Sequence, residues 1–314
     1  MATANRPTRE KMASLLERLA PNEGYTQSAL DGVRFMRSNR PLGRTPVLYE
    51  PGIVIVCQGR KFGFLGDAVH VYDAQHYLVL SVPLPFSTET EASETEPMLA
   101  VSLRLELTEL TELILAIDEM APSGAKATPV GMVSTPLDGD LADATLRLLR
   151  ALGSPVEARI LGPAIRREIF FRVLSGSQGP AMKAALAHQG RFGRVAKALR
   201  RIHADFAQPL DVGSLAQEAG MSVPAFHANF RAVTLTSPIQ YIKSTRLHQA
   251  RLMMIRDGLT AASASARVGY ESPSQFSREF KRFFGRSPID EARDMRASFA
   301  LSPAVSIAAF AGAH

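Results

Sequence analysis

The sequence predicts an α+β protein in two parts: a β-barrel with flanking helices, followed by an all-helical part carrying two helix-turn-helix motifs. Three observations carry this. Between about Val47 and Leu107 the chain runs through short β-rich segments, IVIVCQ, KFGFLG, AVHVYD and HYLVLSV among them, separated by Gly, Pro and Asp; many short strands at close spacing build a small barrel or sandwich. From about Thr108 onward the apolar residues recur at helical spacing. In the C-terminal part an offset of 50 residues superimposes two segments.

The N-terminal residues to Lys11 are polar and mixed in charge, without the apolar stretch of a secretory signal, so 1–24 reads as an extension. The run MLAVSLRLEL alternates, with Leu99, Val101, Leu103, Leu105 and Leu107 on one face and Ser102, Arg104 and Glu106 on the other. That is a half-buried strand with Arg104 toward water or a partner. Beyond it Leu110, Leu113, Ile114 and Ile117 form one helical stripe, followed by Leu141, Leu148 and Leu149, then Ile165, Ile169 and Val173. These helices either close the barrel or pair between chains. The turn-forming SGSQG at Ser175–Gly179 sets the boundaries at 25–176 for the first domain, 177–190 for a linker, 191–296 for the helical domain and 297–314 for a tail.

The repeat is specific. Phe226 falls on Phe276, Phe230 on Phe280, Arg231 on Lys281, Ser237 on Ser287 and Pro238 on Pro288, while Gly220 falls on Gly269 one residue out of step. Each copy reads as a short helix, a Gly turn, a Ser cap at Ser222 or Ser272 and a second helix. Pro273 suits the first helical position, and Gln275 stands at capping-box spacing from Ser272. The paired phenylalanines lie four apart on one face and belong to the core, which leaves the opposite face exposed. That face offers Pro224, His227, Ala228 and Arg231 in copy one and Ser274, Gln275, Ser277, Arg278 and Lys281 in copy two. Arginine reads guanine and glutamine reads adenine by paired hydrogen bonds in the major groove.

Charge agrees with a nucleic-acid partner. Residues 181–296 carry 18 Lys and Arg against 9 Asp and Glu, whereas 1–180 carry 18 against 21. A basic part beside a slightly acidic one suits a polyanion binder. No apolar run is long enough to span a bilayer. The single cysteine, Cys57, excludes an intrachain disulfide framework and a multi-cysteine zinc site. The expected location is cytoplasmic.

The segment from about Val195 to Arg296, with LDVGSLAQEAGMS, SPIQYIKSTRLHQARLMM and ARVGYESPSQFSREFKRFFGRSP, resembles the DNA-binding domain of the AraC/XylS transcription regulators. The resemblance implies two helix-turn-helix units joined by a long helix, about Pro238 to Asp257, with both recognition helices in successive major grooves. Ala264 departs from the bulkier aliphatic residue common in that family, which implies lighter packing. The N-terminal stretch, through YEPGIVIVCQGRKFGFLGD, YDAQHYLVLSVPLP and EASETEPMLAVSLRLEL, resembles the cupin-like domain of one AraC subgroup, which implies effector binding or oligomerisation.

Three residues are candidates for an effector site: Cys57, His70 and Tyr72. Cys57 reads either as a buried structural cysteine or as a redox sensor. His70 and Tyr72 alternate with Val69 and Val71 and line either a barrel mouth or a polar outer face. His70 and His76 stand six apart without the further ligands of a metal-dependent cupin, so neither metal, cofactor nor catalytic residues are expected. The expected function is effector-responsive regulation of transcription on double-stranded DNA. RNA polymerase is the further partner if the protein activates, and the chain is a candidate homodimer. A cupin-type enzyme with an appended basic domain and an architectural DNA binder stand as alternatives.

Overall fold

The computed structural model describes residues 6–120, 129–186 and 191–298. In chain order its elements are α1 (Arg6–Leu19), β1 (Gly24–Gln27), β2 (Val33–Ser38), β3 (Leu42–Tyr49), β4 (Gly52–Gln58), β5 (Arg60–Leu65), β6 (Ala68–Asp73), β7 (His76–Leu80), β8 (Leu84–Glu91), β9 (Met98–Arg104), α2 (Leu107–Met120), β10 (Met132–Pro136), α3 (Gly139–Ala151), α4 (Pro155–Ile160), α5 (Gly162–Ser175), α6 (Gly179–Leu186), α7 (Arg191–Asp205), α8 (Val212–Glu218), α9 (Val223–Thr234), α10 (Pro238–Arg256), α11 (Ala261–Arg267), α12 (Pro273–Phe284) and α13 (Pro288–Ser298). The chain divides into two units. The first comprises 1–44, 51–81 and 88–187, the second 45–50, 82–87 and 188–314.

The strands form a curled sheet in the order β1-β2-β9-β4-β7-β6-β5-β8-β3, with β10 also paired to β7. Its registered neighbours run antiparallel. Strand β4 explains the missing alternation in IVIVC. It lies between β9 and β7 and is buried along Gly52–Cys57 on both faces, so β-branched residues fill the four positions Ile53–Val56. Ile53, Ile55 and Cys57 join Val79, Leu99, Val101 and Leu103 in the core of the first unit. Arg104 is half-buried and pairs with Asp31 at 3.1 Å and with Glu106 at 2.9 Å.

Three expectations change here, and one open alternative is decided. The supposed extension 1–24 contains α1 and β1, and Met12, Leu16 and Ala20 are fully buried in the same core. The stripe on α2 is consumed within its own unit: Leu110 and Leu113 are core residues, with Ile114 and Ile117 packed against them, so it is not a free face for a partner chain. The supposed linker 177–190 holds α6, whose Met182 is 1% exposed and packs in that core. Apolar burial outweighs the turn signal of SGSQG, which occupies only the bend before α6. Leu107 opens α2 rather than continuing the strand. Residues 1–5 and 187–190, and the tail from 299, lie outside the described residues.

In the second unit the repeat becomes two helix pairs, α8–α9 and α11–α12, joined by α10. Phe226, Phe230, Phe276 and Phe280 are all fully buried. Phe230 meets Tyr241 of α10 edge-on at 5.4 Å, while Phe276 and Phe280 pack with Leu247, Ala250, Met254, Ala264 and Val268. Ala264 is fully buried and packs within this core. The stretches 45–50 and 82–87 are held by α10. Tyr241 donates its hydroxyl proton to the Pro83 carbonyl at 2.8 Å and Arg251 donates to the Pro46 carbonyl at 3.2 Å. Arg251 also forms a buried ion pair with Glu291 of α13 at 2.5 Å.

Candidate nucleic-acid interface

The two second helices of the repeat are each 12 residues long. Between its two phenylalanines each shows the same alternation of burial, with the residue before the second Phe half-buried and the one before that exposed. This follows from the helical period: the Phe pair fixes one face inward, and positions two and five residues from the first Phe turn outward. The geometry therefore presents Pro224, Ala228 and Arg231 on α9 and Ser274, Gln275, Arg278 and Lys281 on α12 as exposed, with His227 and Ser277 half-buried beside them. Arg231, Arg278 and Lys281 form no ion pair among the described residues. Three unpaired cations on two equivalent faces suit phosphate and base-edge contact.

The helix starts differ between the copies. At the second, the Ser272 hydroxyl accepts from the Gln275 backbone N–H at 3.3 Å. At the first, Ser222 stands at the cap position but accepts no such bond. Pro224 removes one of the two N–H groups a cap ordinarily satisfies. The expected capping box is also incomplete: the Gln275 side chain turns along the helix and donates to Glu279 at 3.2 Å. The ends differ too, since copy one stops on Leu235 in the left-handed region (φ 55°) and copy two on Gly285.

Glu279 is a residue that sequence reasoning missed. It receives hydrogen bonds from Lys243 of α10 at 2.9 Å, from the Tyr270 hydroxyl at 2.8 Å and from Gln275. Burial by itself raises its carboxyl pKa, but these three donors hold it below the usual range. The anion therefore anchors α12 to α10 and positions Gln275. Its counterpart in the repeat is Asn229, whose side-chain amide donates to the Ala225 carbonyl at 2.7 Å. The only available signal was Glu279 four residues beyond Gln275, a spacing shared by countless solvated helix pairs.

Of the effector candidates, Cys57 on β4 and Tyr72 on β6 are both buried. Cys57 is 3% exposed, and burial pushes its thiol up to about 12, so the reactive thiolate is absent near neutral pH. This supports the structural reading over the sensor. Iodoacetamide at pH 8 is expected to leave the native chain unmodified by intact mass and to alkylate it once in denaturant; rapid native labelling would restore the sensor reading. Tyr72 is fully buried, whereas Val69 and Val71 are exposed, at 54% and 36%. The strand thus faces the opposite way from a polar outer surface. His70 is half-buried, and burial lowers its pKa. Among the described residues no three His, Cys, Asp or Glu side chains gather to hold a metal ion, and no helix is long and apolar enough to cross a membrane.

Comparison with known proteins fits this geometry. A family model described as the AraC-type transcriptional regulator N-terminus matches residues 29–181, and a helix-turn-helix domain model matches 215–294. The chain belongs to the AraC/XylS family. Among curated AraC-type relatives, the HTH-type transcriptional regulator AlkR of Acinetobacter baylyi is 34% identical over 94 residues, 30% of this chain and 31% of that protein. The RCS-specific HTH-type transcriptional activator RclR of Escherichia coli is 39% identical over 77 residues, 24% and 27% of the two chains. The chain thus spans about a third of the length of the curated relatives it matches. Two structures of ToxT from Vibrio cholerae share the fold. One, bound to (E)-4-(8-methylnaphthalen-1-yl)but-3-enoic acid, has a TM-score of 0.58 at 9% identity over 86% of this chain and 99% of that one. The other, bound to an unsaturated fatty acid, has a TM-score of 0.56 at 11% identity over 86% and 96%.

Proposed function

We propose that the chain is a sequence-specific DNA-binding regulator of transcription whose first unit responds to a small-molecule effector. The observation that carries this is the pair of equivalent helices α9 and α12, each locked by two buried phenylalanines and presenting outward Arg231 on the first and Arg278 and Lys281 on the second, none of them in an ion pair among the described residues. In this reading the two helices enter successive major grooves, Arg278 and Gln275 contact base edges, and Arg231 and Lys281 contact phosphates. Ser222, Ser272, Ser274 and Ser277 supply hydroxyls near the backbone, and His227 the polar contact of copy one. The ligands held by the ToxT structures support a small-molecule site in the same fold. RNA polymerase is a partner if the regulator activates, and a homodimer serves a paired site. The protein acts in the cytoplasm and has no enzymatic role, in keeping with relatives named as transcriptional regulators.

Phosphate contacts dictate the test. For the full chain on a site selected from random DNA, log K is expected to fall with log salt at about −0.9 per phosphate contacted. An affinity independent of salt would overturn the reading. An architectural binder would show the same slope on any duplex, with no selected sequence.

A further inference from the structure

The repeat reaches one helix further back than the pairs α8–α9 and α11–α12. Ahead of the extra residue in copy two the offset is 49, and it carries Asp211 onto Thr260, the side chains that cap α8 and α11 by accepting from the N–H three residues on. The same offset lays α7 on the first part of α10: buried Phe192, Val195 and Leu199 fall on buried Tyr241, Ser244 and His248. Each copy is therefore three helices, and the outward positions of α7 have counterparts on α10.

On the side of α7 away from its buried residues stand Arg194, Lys197 and Arg200, all exposed. Their counterparts are Lys243, Arg246 and Gln249. Copy two uses these positions internally: Lys243 pairs with Glu279 at 2.9 Å, the Arg246 guanidinium is divided among three carbonyls, and Gln249 is uncharged. Copy one differs. Asn229 stands where copy two has Glu279, and the carboxylates of Asp205 and Glu218 turn to Arg201, at 2.7 and 3.9 Å. None of Arg194, Lys197 and Arg200 forms an ion pair among the described residues. Two of the three are held at the helix-turn-helix itself, where Lys197 donates to the Glu218 carbonyl at 3.0 Å and Arg194 to the Gly220 carbonyl at 3.4 Å. Cations suit the carbonyls at a helix C-terminus, but such a bond takes one donor from an ammonium that has three or a guanidinium that has five. The remainder is a row of positive charge beside the turn that leads into α9. A reading helix enters the major groove by its N-terminal end, which brings that turn toward the backbone bordering the groove.

We infer that Arg194, Lys197 and Arg200 of α7 form a further phosphate-binding row that anchors copy one on the DNA backbone. The inference rests on the DNA reading above and gives copy one an electrostatic hold where its Pro224 and Ala228 offer no hydrogen bond to a base. Equilibrium binding of the full chain to the selected and to scrambled DNA, across a range of salt, tests it with Arg194→Gln, Lys197→Gln and Arg200→Gln, singly and together. Each single change is expected to lower the salt slope by about one on both DNAs, and the triple change by about three, with the ratio of specific to non-specific affinity retained. Because Arg194 and Lys197 also bond the turn, two further readouts separate charge from folding. Lys197→Arg should keep the native slope, and Arg200→Gln should keep the native melting temperature while still lowering the slope. Arg159→Gln on α4, an equal loss of charge from an exposed site in the first unit, should leave the slope unmoved. A triple variant with the native slope overturns the inference, and would be the result if the row served an acidic protein surface instead. An equal fall in slope with Arg159→Gln overturns it too, since net charge alone would then account for the effect. A native chain that binds DNA without salt dependence or selected sequence overturns the DNA reading, and this inference with it.

Discussion

Gly269→Ala is expected to destabilise the second unit by about 2–4 kcal/mol, whereas the equivalent change in the first repeat, Gly220→Ala, is expected to cost about 1 kcal/mol or less. Both glycines turn the chain in the left-handed region, at φ 81° and 62°. An L residue pays roughly 1–2 kcal/mol there, and Ala recovers part of that by restricting the unfolded chain. The difference lies in what a Cβ would meet. At Gly220 nothing stands within 4 Å, but at Gly269 the Ala207 carbonyl oxygen would be 2.3 Å away. That oxygen has little freedom to retreat. Arg246 donates to the carbonyls on either side of it, Phe206 at 2.7 Å and Gln208 at 2.9 Å, and also to the Gly269 carbonyl itself at 3.3 Å. One guanidinium thus clamps the turn and its neighbour together, and the clash becomes overpacking against backbone. Urea unfolding of the two variants decides the matter: equal losses would mean that the 206–208 stretch yields and the clamp is soft.

The same pair of glycines shows what sequence could and could not reveal. The repeat, its turns and its inward phenylalanines were legible because each is a local pattern: a left-handed turn needs glycine, and residues four apart share a helix face. The clamp by Arg246 was not, since it joins residues 23 to 40 positions apart in the chain. For the same reason the sequence hid the place of α1 in the first core and the assignment of 45–50 and 82–87 to the second unit. Both depend on contacts at long separation rather than on periodicity. The period-2 alternation of β6 was visible, but its facing was left open. His70 and Tyr72 were read as lining either a barrel mouth or a polar outer face, and the fully buried Tyr72 beside exposed Val69 and Val71 favours the inward one; alternation fixes which residues share a face and leaves open which face is inside. On α12 the exposed face was foreseen, whereas the Gln275–Glu279–Lys243 network was not, because Lys243 reaches it from α10.

That network shapes the expected outcome at the DNA. Gln275 is engaged with Glu279 and must exchange that bond for one to a base, whereas Arg278 is exposed and without an ion pair among the described residues, so its guanidinium is free to make a bidentate contact at no such loss. Arg278→Ala is therefore expected to lower affinity for the selected site by about 1–3 kcal/mol and to relax preference at one base position. Copy one presents Pro224, His227 and Ala228 on the corresponding face, of which His227 alone has strong hydrogen-bonding capacity, so copy two should carry more of the sequence discrimination. Arg231 and Lys281 occupy equivalent positions nearer the C-terminal ends of their helices. Removing either is expected to weaken specific and scrambled DNA alike and to lower the salt slope by about one. Equilibrium binding of the three Ala variants to both DNAs, across a range of salt, separates these roles. If Arg278→Ala weakens the two DNAs equally and also flattens the salt slope, Arg278 is a phosphate anchor, and the discrimination of copy two must come from Gln275 after its release from Glu279.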